Sequence, residues 1–286
     1  MEFATKRPFF LPLVLVFAMC LCAFLYWNNY VEDHYLKVAF LDVGQGDSIY
    51  IEAPNGNQVL IDGGRQNIVT TKLSAVMPRG DRTINAVIAT HPDADHVGGL
   101  AAIFQKYTVG SFWEPGVYAS TQTYDELEKT ATLENAPHVL ARAGTKLVLD
   151  KDRGVYLEIL FPDAYVGNFE TNDASIVARL VYGKTSILLT GDSPIATEDF
   201  LIARAADLDS DILKLGHHGS RTSTSAEYLA SVTPSLAIIS AGKGNSYGHP
   251  HQEVTDRLKD FHIPSLSTID QGTIIIESDG VNYWQK

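Results

Sequence analysis

The chain has 286 residues, 45% of them hydrophobic and 20% charged, with a formal net charge of −12. That composition supplies ample apolar material for a globular core, and its acidic balance argues against a broadly basic nucleic-acid binder. Both cysteines, Cys20 and Cys22, fall in an apolar N-terminal stretch, so the remainder has neither a disulfide framework nor a thiolate metal site.

Residues 9–27 carry no charge, a length sufficient to cross a bilayer as a helix. Lys6 and Arg7 precede the stretch, and Glu32 and Asp33 follow it. The positive flank predicts a single-pass anchor in the cytoplasmic membrane, with the rest of the chain outside. The alternative is secretion after signal-peptide cleavage. Ala23 is a weak cleavage residue because Leu21 sits two positions before it, and bulky Met19 before Cys20 fails a lipoprotein box. The expected division is residues 1–35 as anchor and linker and 36–286 as one folded domain.

Apolar alternation begins at Leu36. Segments 37–43, 47–53 and 58–61 read as strands, with Asn55-Gly56 as a hairpin turn. Residues 66–76 have apolar groups at helical spacing, and 84–89 reads as a buried strand. A helix over about 96–106, a strand over 108–113 and a helix over 123–134 follow. Residues 138–182 are strand-rich, including 155–161 and 175–182. Strands at 186–189, 211–215 and 236–240 then alternate with helices at 194–205, 224–231 and 251–261, and short strands close the chain. Strand-rich halves flanked by helices predict a layered α/β fold.

The strand at 84–89 ends in His91-Pro92-Asp93-Ala94-Asp95-His96. Four metal-ligand side chains thus fall within one turn at the carboxyl end of a strand, where α/β sheets bind ligands. Imidazole with carboxylate suits a borderline divalent ion such as zinc or manganese. Other strand ends are polar too: Asp42-Val43-Gly44-Gln45-Gly46-Asp47, Thr190-Gly191-Asp192 and Gly216-His217-His218-Gly219-Ser220, with His249-Pro250-His251 adding two imidazoles. A lone strand-end Asp is ordinarily a turn or cap residue; the set together points to one site.

The ordered segments DVGQGDSIYI, LIDGG, HPDADHVGGL, NDASIVARLVYG, ILLTGD, LKLGHHGSRTSTS and ISAGKGNSYGHPH resemble the metallo-β-lactamase superfamily. Within it they are most similar to the extracellular hydrolase domain of ComEC-type DNA-uptake competence proteins. The resemblance spans roughly residues 37–280. It implies a four-layer αββα sandwich, here preceded by one N-terminal transmembrane helix, with two divalent metal ions: manganese or zinc, or else magnesium. By position, His91 and Asp93 would hold one ion, Asp95 and His96 the other, and Asp192 would bridge them. His217 or His218 would complete the second site; His217, nearer the strand, is favoured, and His218 would then orient a ligand. Asp42 would support the metal loop from behind, with Asp47, Asn172 and Ser175 as further structural support. Asp93 stands where the commonest pattern has His, and Asn172-Asp173-Ala174-Ser175 lacks a His that many members supply. Harder ligands move preference from zinc toward manganese or magnesium.

The resemblance further implies a phosphodiesterase or nuclease acting on DNA outside the cytoplasmic membrane, through water activated by two metals. Asp95 and His249 are the candidate catalytic residues, His249 because an unligated imidazole titrates near neutral pH. His251 is expected to start a helix. Ser220 and Lys243 are candidate substrate contacts, with Lys214 and Arg221 as further candidate phosphate contacts; each of the three cations, Lys243 included, is ordinarily read as a solvated surface charge. Expected partners are DNA or another phosphodiester, the membrane, and a competence-type membrane channel protein. The alternatives are a phosphoesterase on a small or surface-attached substrate and a non-catalytic DNA-uptake accessory protein.

Overall fold

The computed structural model describes residues 10–30 and 35–286, and the chain separates into two units, 1–34 and 35–286. In the first unit, helix α1 covers Phe10–Tyr30, with side chains described over 12–23. Among the described residues no helix is long and apolar enough to cross a membrane. The flanking charges Lys6, Arg7, Glu32 and Asp33 lie outside the described residues.

The second unit begins with strands β1 (Leu36–Phe40), β2 (Ile49–Glu52), β3 (Gln58–Ile61), β4 (Thr83–Ile84), β5 (Ala86–Ile88), β6 (Thr108–Val109), β7 (Phe112–Glu114) and β8 (His138–Leu140). It continues with β9 (Lys146–Asp150), β10 (Val155–Phe161), β11 (Val177–Tyr182), β12 (Thr185–Leu189), β13 (Ile212–Lys214), β14 (Leu236–Ile239), β15 (Ser265–Ser267), β16 (Ile274–Ser278) and β17 (Tyr283–Gln285). One sheet has the order β17-β16-β1-β2-β3-β5-β7-β8 and the other β15-β14-β13-β12-β11-β10-β9; β4 and β6 form a separate ribbon. The helices are α2 (Ile68–Val76), α3 (Ala94–Val97), α4 (Leu100–Lys106), α5 (Gln122–Leu133), α6 (Ile195–Ala203), α7 (Ala226–Val232), α8 (Gln252–Asp260) and α9 (Thr268–Gln271).

Period-two alternation explains the layers, because successive strand side chains point to opposite faces. Val38, Phe40, Ile49, Ile51, Val59 and Ile61 face Leu157, Ile187, Ile212 and Ile238 in a core between the sheets. The intervening Ala39, Leu41, Tyr50 and Leu60 pack outward with Leu73, Leu100 and Leu127 of the helices. On the other side Leu188, Leu213, Ala237 and Ile239 pack with Leu201, Leu229 and Leu258. Three apolar layers separate helix, sheet, sheet and helix, which is the expected αββα order.

The β2–β3 hairpin turns at Asn55-Gly56, where Gly56 N donates to Ala53 O (2.8 Å). Two expected elements are interrupted. The helix over 96–106 divides into α3 and α4 at Gly98-Gly99, where a Cβ on Gly98 would lie 2.2 Å from Arg65 O. The strand over 108–113 divides into β6 and β7 around Gly110, where a Cβ would lie 2.5 Å from Asn85 O. In both places the chain passes so close to a neighbouring backbone carbonyl that a side chain has no room, and glycine fits.

β3, β5, β7 and β8 run parallel, as do β12, β13, β14 and β15. Their carboxyl ends therefore share an edge within each sheet. Asp62 and His91 leave the first sheet there, and Asp192, His217 and His218 leave the second. Ile176 N donates to Thr90 O (2.9 Å) and joins the two sheets at that edge.

Candidate metal centre

Asp192 is the hub. It follows β12 and is almost wholly buried. Nε2 of His96 lies 3.3 Å from its Oδ1. Nε2 of His218, His217 and His91 lie 3.4, 3.7 and 4.0 Å from its Oδ2. His91 Nε2 also faces Asp93 (3.7 Å), and His218 Nε2 faces Asp95 (3.5 Å). Four imidazoles from the segments at 91–96 and 217–218 therefore surround Asp192, with Asp93 beside His91 and Asp95 beside His218.

His217 and His218 both reach Asp192, but they are not equivalent. From sequence His217 is favoured; in the structure His218 is the buried ring beside Asp95, whereas His217 is 27% exposed. Consecutive residues reach the same carboxylate because both adopt left-handed backbone, with φ of 47° and 56°. Such strain costs on the order of 1–3 kcal/mol per residue and persists where surrounding structure enforces it. Here His217 N donates to Gly191 O (3.1 Å) and Ser220 N to His217 O (2.8 Å).

Two of the buried rings, His96 and His218, have the rear nitrogen against a second carboxylate. His96 Nδ1 lies 2.8 Å from Asp62 Oδ2, and His218 Nδ1 lies 3.3 Å from Asp47 Oδ1 and 3.0 Å from Ser240 O. A carboxylate or carbonyl only accepts, so a proton belongs on Nδ1, and Nε2 is the nitrogen turned toward Asp192, as in carboxylate–histidine–metal arrangements. Asp62 itself accepts from Thr90 N (2.8 Å) and Thr90 Oγ1 (2.7 Å). It is the supporting residue absent from the sequence-based set. Its signal, a carboxylate after an apolar strand and before Gly63-Gly64, is the same one that marks Asp192.

Several expectations are corrected. Asp42, expected behind the metal loop, instead accepts from Lys72 Nζ (3.2 Å) and from Gly44 N (3.4 Å), and is partly exposed. Lys214, read as a phosphate contact or surface charge, is fully buried in an ion pair with Asp47. Arg221 is exposed and pairs with Glu253 (3.5 Å). Ser220 is buried, and its hydroxyl accepts from Thr222 Oγ1 (3.0 Å). Lys243 is exposed in the loop after β14. Ser175 Oγ accepts from Asp192 N (3.3 Å), and Asn172 Oδ1 is buried without a hydrogen-bond partner. His251 is the N-cap of α8, and its Nδ1 accepts from Arg221 N (3.0 Å).

The electrostatics follow from crowding. Burial pushes the Asp192 carboxyl up, but the His218 and His96 imidazoles overcome it and hold it well below the usual carboxylate range. Burial lowers His96 and His218, yet Asp192 with Asp62 or Asp47 raises both well above 6.5. His91, penalised by burial and by neighbouring His96, falls to about 4. His249 also falls to about 4, through burial and the nearby His217, His218 and His251 rings. That corrects its expected titration near neutrality: at pH 7 it is a neutral ring, able to donate a hydrogen bond but carrying no surplus proton.

His91 Nε2, His96 Nε2, His218 Nε2 and Asp192 Oδ1 are buried without hydrogen-bond partners. Unpaired buried polar atoms are costly, and four converging in one place call for a shared partner. Donor atoms of Asp47, His96, Asp192 and His218 lie within 4.8 Å of one another, close enough to hold a metal ion. The imidazole and carboxylate set fits a divalent cation.

A family model described as the metallo-beta-lactamase superfamily matches residues 41–243. ComE operon protein 3 of Bacillus subtilis (strain 168) is 31% identical over 255 residues, covering 83% of this chain and 32% of that protein. Competence protein ComA of Neisseria gonorrhoeae is 31% identical over 245 residues, 85% of this chain and 32% of that protein. Exodeoxyribonuclease WalJ of Streptococcus pneumoniae serotype 2 (strain D39 / NCTC 7466) is 27% identical over 183 residues, 62% of this chain and 64% of that protein. The chain spans about a third of the length of the competence proteins it matches.

Proposed function

We propose that this chain, which belongs to the metallo-beta-lactamase superfamily, is a metal-dependent phosphodiesterase that cleaves DNA. The observation that carries the reading is the ring of imidazoles around Asp192, with their Nε2 atoms buried and unpaired. His91 and Asp93 would hold one divalent ion, Asp95, His96 and His218 the other, with Asp192 between them and His217 on the more exposed side. Bound there, the ions would supply Lewis acidity and a nucleophilic water at neutral pH. Asp62 and Asp47 hold the His96 and His218 rings with Nε2 forward. His249, neutral and beside His217 and His218, is placed to donate a hydrogen bond to a phosphoryl oxygen. Tyr247 stacks on it, with ring centroids 5.6 Å apart, and restrains its tilt.

DNA as substrate is supported by the competence proteins and the exodeoxyribonuclease among the relatives. The oxygen-rich contribution of Asp93 favours manganese. The uncharged stretch 9–27 is the sequence feature behind a membrane-associated position, and the competence proteins among the relatives are the ground for a competence-type channel partner. The test is full-length protein with Mn2+ and single- or double-stranded DNA. Cleavage that chelator abolishes and Asp192→Asn removes is expected; no cleavage with Mn2+ shown to be bound would sink the nuclease reading. The net charge of −12 favours a second reading, a small phosphoester substrate. Hydrolysis of bis-p-nitrophenyl phosphate without DNA cleavage would select it.

A further inference from the structure

Lys214 is fully buried, and among the described residues it is the only buried Lys or Arg. A buried ammonium is expensive unless paired and hydrogen-bonded. Its Nζ donates to Asp47 Oδ2 and to Leu215 O (3.0 Å). Lys214 ends β13 in one sheet, while Asp47 precedes β2 in the other, so the pair spans the gap between the sheets behind the candidate metal centre. Asp47 is buried as well. Its other oxygen faces His218 Nδ1 (3.3 Å), and its N–H donates to Asp95 O (3.2 Å). His218 and Asp95 in turn face each other at 3.5 Å. Asp47 thus touches two residues assigned above to the same metal ion, the His218 ring through its carboxylate and the Asp95 carbonyl through its backbone N–H, and Lys214 holds that carboxylate in place.

The two ring supports differ in one respect. Asp62, behind His96, is held by the neutral groups of Thr90. Asp47, behind His218, is held by a cation. Asp47, Asp62, Asp93, Asp95 and Asp192 crowd carboxylates into one end of the molecule, and Lys214 removes one negative charge from that excess.

The geometry points to Lys214 as a positioning residue: through its buried ion pair with Asp47 it sets the His218 ring and the Asp95 loop, and thereby the affinity of one of the two metal positions. This rests on the two-metal reading given above. The test uses the full chain stripped by chelator and titrated with Mn2+ alone by calorimetry, with melting temperature measured on each metal-free variant. Lys214→Met is expected to weaken Mn2+ binding by up to about 10–100-fold, the effect of losing Asp47 itself as the outer partner of His218. Lys214→Arg, which keeps the charge, should recover part of it. In Asp47→Leu/Lys214→Met the buried charges are gone together, and such apolar replacements commonly keep or raise stability. Its melting temperature should return toward wild type while the Mn2+ affinity stays low. Wild-type affinity in that double variant would overturn the inference, as would failure of both variants to fold, which would make the pair a folding element. If the wild-type protein takes up no Mn2+, the two-metal reading itself falls; if it binds and the double variant binds equally, only the positioning role falls.

Discussion

At the scale of single residues, protons and metal ions compete for the same atoms. His96 and His218 are held protonated well above 6.5 by the carboxylates around them, chiefly Asp192. A metal at Nε2 must displace those protons, so apparent affinity should rise with pH, by about tenfold per pH unit for each proton released. Mn2+ titrations between pH 6 and 8 check the slope; a flat profile would contradict the assignment of these rings as ligands. The stability of chelated protein should run the other way. A group whose folded pKa is raised stabilises fully below its unfolded value and loses that contribution as pH climbs through the folded one. Melting temperature with chelator present should therefore fall on the alkaline side of 6.5. Asp62→Asn leaves a poorer acceptor behind His96 and should weaken metal binding about 10–100-fold, measured by the same titration.

At the scale of elements, close backbone approach holds the loops in place. Gly46 has φ +122° in the loop after β1, and a Cβ there would sit 1.9 Å from Asp95 O. Gly46→Ala must move either Asp47 or Asp95, both at the candidate centre. A loss of at least about 1–3 kcal/mol from backbone strain is expected, together with weaker metal binding; urea unfolding and Mn2+ titration measure the two separately. Leu127 on α5 provides the contrast. It is fully buried in the outer core of the first sheet, so Leu127→Ala should cost about 2–5 kcal/mol and leave the metal affinity of the folded protein unchanged. The type and order of most elements were legible from alternation and helical spacing. The close approaches at Gly98 and Gly110 were not, because each depends on a carbonyl brought in by another segment, Arg65 or Asn85.

For the whole molecule, the net charge of −12 opposes approach of a polyanion except at bound cations. Basic DNA-binding proteins lose affinity as salt rises. Here modest salt should screen repulsion first, so KM for DNA should fall between about 20 and 150 mM ionic strength; a KM that climbs throughout would place an undetected basic surface against the strand. The sequence by itself determined the layered α/β class, the strand ends that carry ligands and the donor set of imidazoles and carboxylates, because these are local: period two, period 3.6, and a polar turn after an apolar run. Only the tertiary structure decided how those donors divide. It placed His218 rather than His217 in the buried position, put Asp62 behind His96, moved Asp42 aside to Lys72, and buried Lys214 against Asp47, 167 residues away along the chain. Such choices depend on which strands become neighbours across two sheets and on which side chains the packing removes from water, and local spacing carries no information about either.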